Sequence, residues 1–133
     1  MRNVSLAGAS IVLCLAVGWA AEARAQPPKA QTATQYYLSY RAAFDKATKA
    51  SDLLPYMSEQ NRKQGEPKPK EWFELIKMVS AVTGVKVTKE EATTAGGARL
   101  TAEGVGSDKK KTQGTITLVK EGGAWKIDDE EWK

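Results

Sequence analysis

From Thr34 onward, apolar and polar positions follow a helical period. Tyr36, Tyr40, Ala43 and Ala47 fall on an i, i+4, i+7, i+11 stripe, widened by Tyr37 and Phe44, with Asp45, Lys46 and Lys49 off it. That spacing predicts one buried face of a helix, with Thr34 placed to cap its N-terminus. Ser51 then caps a shorter segment, 52–57, whose apolar side is Leu53, Leu54, Tyr56 and Met57. Pro55 is tolerated only near a helix start, which keeps this element short or 3₁₀-like. The polar stretch 58–64 extends it by a turn or two, and 65–68 reads as a loop. A third helix opens at Pro69, which suits a first turn, with Glu71 and Glu74 near the positive end of the helix dipole. Its apolar stripe is Trp72, Leu75, Ile76, Val79 and Val82, and Gly84 supplies the stop.

After Gly84 the period changes from 3.6 to 2. Four runs, 85–93, 98–106, 112–121 and 124–131, are separated by short polar or glycine-containing connections at 95–97, 107–111 and 122–123. One face collects Val85, Val87, Leu100, Ala102, Ile116, Leu118, Trp125 and Ile127. The other carries Lys86, Thr88, Arg99, Thr101, Glu103, Thr115, Thr117, Lys126 and Asp128. One greasy and one polar face is the pattern of an antiparallel sheet wet on one side. The expected fold class is α+β in two layers: N-terminal helices packed on one face of a four-stranded antiparallel meander.

The chain before Thr34 reads differently. Met1 and Arg2 give a positive start, 4–21 is apolar or small throughout, and Ala23-Arg24-Ala25 is the small-x-small pattern that signal peptidase accepts. Residues 1–25 are therefore expected to be a signal peptide cleaved after Ala25, which places the protein in the periplasm or outside the cell. The apolar run sits at the lower limit for spanning a bilayer, so no membrane attachment is expected once it is removed. Cys14 is preceded by Leu13 rather than a small residue, which argues against a lipid anchor. Residues 26–33, with two prolines and no apolar period, read as a flexible linker to a domain at 34–133.

Composition sharpens this picture in three ways. The single cysteine, Cys14, lies in the signal, so the working domain forms no disulfide despite an oxidising destination. Removing Arg2, Arg24 and Glu22 lowers the net charge from +4 to +3, with acids and bases interleaved, so no nucleic-acid partner is expected. The chain has no histidine, and so lacks the commonest general base and the commonest metal ligand. No zinc or EF-hand spacing is present, and Gly96-Gly97 and Gly122-Gly123 sit between strands rather than before a helix, so no metal and no cofactor is expected. Lys109-Lys110-Lys111 lies in an expected hairpin loop, where polar residues belong in any case.

Helices first, then a meander ending in Gly122-Gly123-Ala124-Trp125-Lys126-Ile127-Asp128, resembles the nuclear transport factor 2-like superfamily, in particular its small secreted bacterial members. The opening Tyr36-Tyr37-Leu38-Ser39-Tyr40 helix, the 51–57 segment and the strand Gly114-Thr115-Ile116-Thr117-Leu118-Val119-Lys120 fit the same pattern, over about residues 34–132. The chain departs from fuller members in having no clear strand between the second and third helices. The resemblance implies that the four-stranded antiparallel meander is curled into a cone-like, cystatin-like roll whose mouth becomes a pocket. Such cones host steroid isomerases, dehydratases, polyketide cyclases, transport factors, dimer scaffolds and immunity-type binders, so fold alone selects no function.

Candidate pocket-lining residues are Tyr37, Tyr40, Phe44, Tyr56, Met57, Trp72, Ile76, Trp125 and Asp129. Aromatics at helical spacing are usually core, but buried phenols and indoles need hydrogen-bond partners, and several together often mark a semi-polar cavity. In the acidic run 128–131, alternation puts Asp129 on the Trp125–Ile127 face. An Asp with a tyrosine is the acid-base pair that the resemblance to steroid isomerases implies, with Asp128 as the other choice. The histidine of the dehydratase-like members has no counterpart. The balance favours a non-catalytic exported domain, with no catalytic residue assigned, that binds a small apolar ligand or a protein partner. An isomerase- or cyclase-like enzyme and a homodimeric scaffold are the alternatives.

Overall fold

The computed structural model describes residues 31–133; the expected signal peptide and residues 26–30 of the expected linker lie outside the described residues. Helix α1 spans Ala33–Lys46. Its cap is Thr32, not Thr34. The Thr32 hydroxyl accepts from the Gln35 backbone N–H at 3.1 Å while the Gln35 side chain accepts from the Thr32 N–H at 3.0 Å. This reciprocal box needs a Gln or Glu three residues after the cap, which Thr32 has and Thr34 lacks. Thr34 instead donates from its backbone N–H (3.0 Å) and its hydroxyl (2.6 Å) to Glu90 on the sheet. The buried face runs through Ala33, Tyr37, Tyr40, Arg41 and Phe44. It is rotated from the expected stripe, leaving Tyr36 and Ala43 at its margin.

Two 3₁₀ turns follow, Ala50–Asp52 and Leu54–Tyr56, the second with Pro55 in its first turn. The expected run-on into 58–64 does not occur. Met57 turns extended and pairs in parallel with Ile127, and the Ser58 N–H donates to the Ile127 carbonyl at 2.8 Å. Ser58 then caps a separate helix, α2, at Glu59–Gly65. Helix α3 spans Pro69–Val79, beginning at the expected proline and ending before the expected glycine. Gly84, with φ of +62°, lies instead near the start of the first strand.

Strands β1 (Thr83–Ala92), β2 (Ala98–Val105), β3 (Lys111–Glu121) and β4 (Ala124–Trp132) form one open sheet in sequence order, every neighbour antiparallel. The β3–β4 hairpin turns on Gly122 and Gly123, both at positive φ (60° and 83°), as a two-residue primed turn requires. Leu100, Ala102, Ile116, Leu118 and Ile127 point into the core with Tyr37, Tyr40, Leu53 and Met57. The α+β class and the helix-covered meander are thus as expected.

The departure that matters lies in β4. Leu118 pairs with Ile127, yet Thr117 pairs with Asp129, so two residues of β4 oppose one of β3. This β-bulge absorbs Asp128 and reverses the alternation beyond it. Asp129 is thrown to the exposed side; Glu130 and Trp132 turn inward. The Trp132 ring then lies over Gly114, where a Cβ would come within 2.7 Å of it. Glycine is needed there for close approach rather than for its dihedral freedom.

Candidate functional site

Arg41 and Glu130 form a buried ion pair, Nη1 to Oε2 at 3.2 Å, with side chains 7% and 8% exposed. Two charges taken out of water persist only when their remaining hydrogen-bonding capacity is used. That condition is met. Glu130 also accepts from the Tyr37 hydroxyl (2.5 Å), the Ser80 hydroxyl (3.1 Å) and the Trp132 indole N–H (3.0 Å). Arg41 Nη2 donates to the carbonyls of Ser80 (3.2 Å) and Val82 (2.7 Å), and the guanidinium stacks 4.4 Å from the centre of the Phe44 ring. One side chain therefore ties α1 to β4 and to the link between α3 and β1. Burial, and then the charge of Glu130, push the phenols of Tyr37 and Tyr40 well above the usual tyrosine range.

Beside this cluster is a cleft of about 140 Å³ between α2, α3 and β4. Its floor includes Tyr40, Met57, Trp72, Ile76 and Ile127, and its polar wall Asn61, Ser80, Asp128, Asp129 and Glu130. Leu75 and Val79 of α3 stand at its rim. Both are 50% exposed, and the neighbouring Met78 is 68% exposed. The expected core stripe of α3 is thus only partly core: Trp72 is buried and Ile76 half-buried, Leu75 and Val79 face solvent around the cleft, and Val82, though buried, lies beyond the end of the helix. Tyr40 is fully buried, yet its hydroxyl is the one buried side-chain polar atom among the described residues without a hydrogen-bond partner.

Of the nine candidate pocket residues, Tyr40, Met57, Trp72, Ile76 and Asp129 meet at this cleft. The other four do not. Tyr37 serves Glu130. Phe44 lies under Arg41 and Lys77. Tyr56 packs against Tyr36 and Tyr40, and Trp125 donates to the Gln31 carbonyl at 3.1 Å. Asp129 reaches the cleft from its exposed edge, not from the sheet's inner face as alternation had placed it, because the bulge intervenes. Asp128, at the bulge, accepts from the Ser58 hydroxyl at 2.8 Å.

Sequence reasoning missed Glu130, Arg41, Ser80 and the exposure of Leu75 and Val79. One signal for Glu130 was available: Ile127 and Trp132 have opposite parity, and both can face the core only if the strand slips phase between them. Among the described residues there is no cluster of metal-binding side chains and no helix long and apolar enough to cross a membrane. No family model, curated protein or solved structure matches the chain.

Proposed function

We propose that the chain is an exported, non-catalytic α+β domain of the nuclear transport factor 2-like kind that binds a small apolar ligand or a protein partner at the cleft between α2, α3 and β4. The observation that carries this reading is the conjunction of an exposed apolar rim, Leu75 and Val79, with a cleft lined by Met57, Trp72, Ile76 and Ile127. Contiguous exposed apolar residues beside a concavity are what binding surfaces show and plain core packing does not. Kinship with the superfamily draws support from the element order, helices first and then a meander. Export draws support from the residue pattern of 1–25.

An acid-base enzyme has less to work with. A general base needs a free carboxylate within reach of a substrate. Glu130 has its oxygens engaged by four donors, Asp128 is bonded to Ser58, and Asp129 is exposed.

Native mass spectrometry of the protein purified from its own compartment tests the reading, with Val79→Trp as the cleft-blocked control. The expected result is a bound species on the wild type that Val79→Trp loses. A bare monomer in both preparations refutes it, and a homodimer in both favours the scaffold alternative.

A further inference from the structure

The two edges of the sheet are finished differently. At the β4 edge, Met57 forms a parallel bridge with Ile127. β1 has β2 on one side and, among the described residues, no strand on the other. An open edge presents unpaired backbone N–H and C=O groups to an extended chain. We infer that the outer edge of β1 pairs with the same edge of a second copy of this chain, antiparallel about a two-fold axis, so that two sheets join into one.

The first support is the order of faces along β1. Residues directly opposite one another in a ladder lie on the same face of a sheet. Lys86, Lys89 and Glu91 pair with the solvent-facing Glu103, Thr101 and Arg99, whereas Val87, Glu90 and Ala92 pair with the buried Ala102, Leu100 and Ala98. Thr88 is the extra residue of a bulge between Val87 and Lys89, and its hydroxyl donates to the Thr101 carbonyl at 3.2 Å. One two-fold register sets Thr88 opposite the second copy's Lys89. It also sets Val87 opposite Glu90, Lys86 opposite Glu91, and Val85, which packs against the core, opposite Ala92. Every pair then joins residues of one face. A shift of one residue in either direction breaks that match. A shift of two sets Lys86 against Lys89, or Lys89 against the core-face Glu90.

The second support is charge. The register that matches the faces is the one that forms two Lys86–Glu91 pairs, one on each side of the axis. Opposite charges directly across a ladder stabilise it and like charges oppose it. Within one copy Glu91 meets only Lys89, in an exposed contact of 3.5 Å that is cheap to exchange.

The third is cover. Leu38 of α1, 42% exposed, and half-buried Val85 line one groove with Thr83 and Gly84 at the start of β1. A strand laid along β1 covers that apolar surface. Lysines and bulges on an edge ordinarily turn other chains away. Here both devices match themselves: bulge meets bulge, and lysine meets glutamate. They exclude unrelated strands and admit a second copy.

Sedimentation equilibrium of the protein purified from its own compartment tests the pairing, with Lys86→Glu and Glu91→Lys as separate variants. Both positions are exposed, so the fold is expected to stand. The wild type is expected to be a dimer. Either variant turns both complementary pairs into repelling ones and is expected to weaken self-association about tenfold or more. An equimolar mixture of the two variants is expected to restore the dimer as a mixed pair, because each like-charged edge then faces its opposite. Isotope labelling of one variant lets native mass spectrometry tell mixed from self-paired dimers. A wild type that stays monomeric up to millimolar concentration, undiminished self-association of either variant, or a mixture that associates no better than its components each overturns the inference. The cleft lies against β4, at the far edge of the sheet, and pairing through β1 leaves it open. A dimer that carries the bound species upholds both readings, and a dimer without it upholds the pairing alone.

Discussion

Glu130→Gln is expected to lower unfolding free energy by about 3 kcal/mol or more, because it leaves the Arg41 charge buried without its counter-ion. Asp129→Asn, one residue away, is expected to change stability by no more than about 0.5 kcal/mol, as exposed positions do. Urea denaturation of both variants measures the contrast. It tests the bulge directly, since the regular alternation that put Asp129 inside predicts the reverse ranking. Four acids in a row carry no mark of which one turns inward. The choice is made by a single extra residue opposite Leu118, and by the indole of Trp132, which can cover Gly114 only if the strand has slipped phase. Residue type alone misled at this position because the deciding interactions span 89 and 93 positions of sequence.

At the scale of elements, apolar period and turn chemistry located nearly every piece. Pro69 opens α3, Gly122-Gly123 turns the last hairpin, and the inward residues of β2 and β3 are the ones alternation selects. What could not be read was where local patterns give way to partners from elsewhere. The 3₁₀ turns do not continue into α2, because Met57 and Ser58 are drawn onto the edge of β4. That contact also shields an edge strand, which otherwise offers unpaired backbone to other chains. The apolar stripe of α3 was legible, but a stripe does not say which of its members meet the core and which ring a cleft. The cap of α1 gives a local test. Thr32→Ala is expected to cost about 1 kcal/mol through loss of the capping box. Thr34→Ala, whose contact with Glu90 is exposed, is expected to cost less than half of that. Thermal melts of the two rank the caps.

For the molecule as a whole, alkaline pH is the revealing variable. Burial first, then the neighbouring phenol of Tyr56, pushes Tyr36 from 10.0 up to about 12, and Tyr37 and Tyr40 are raised further. A raised phenol favours its neutral form in the fold, so the unfolded chain gives up its protons first. The stability this contributes is complete below pH 10 and is lost as pH climbs toward 12 and beyond. The melting temperature is expected to hold steady up to about pH 10 and then fall, with tyrosinate absorbance rising together with the loss of fold. Full ionisation of all four tyrosines near pH 10 in a folded protein contradicts the burial described above. The same core also imposes an order in time. Arg41 lies in the first helix and its counter-ion in the last strand, 89 residues later. At synthesis rates of about 5–20 residues per second, the base waits roughly 4–18 s for its acid. Until Glu130 has emerged, a nascent chain cannot close α1 over the sheet without sealing in an uncompensated charge. Any compact form that buries Arg41 before the final hairpin is made therefore bears the cost of an unpaired buried charge.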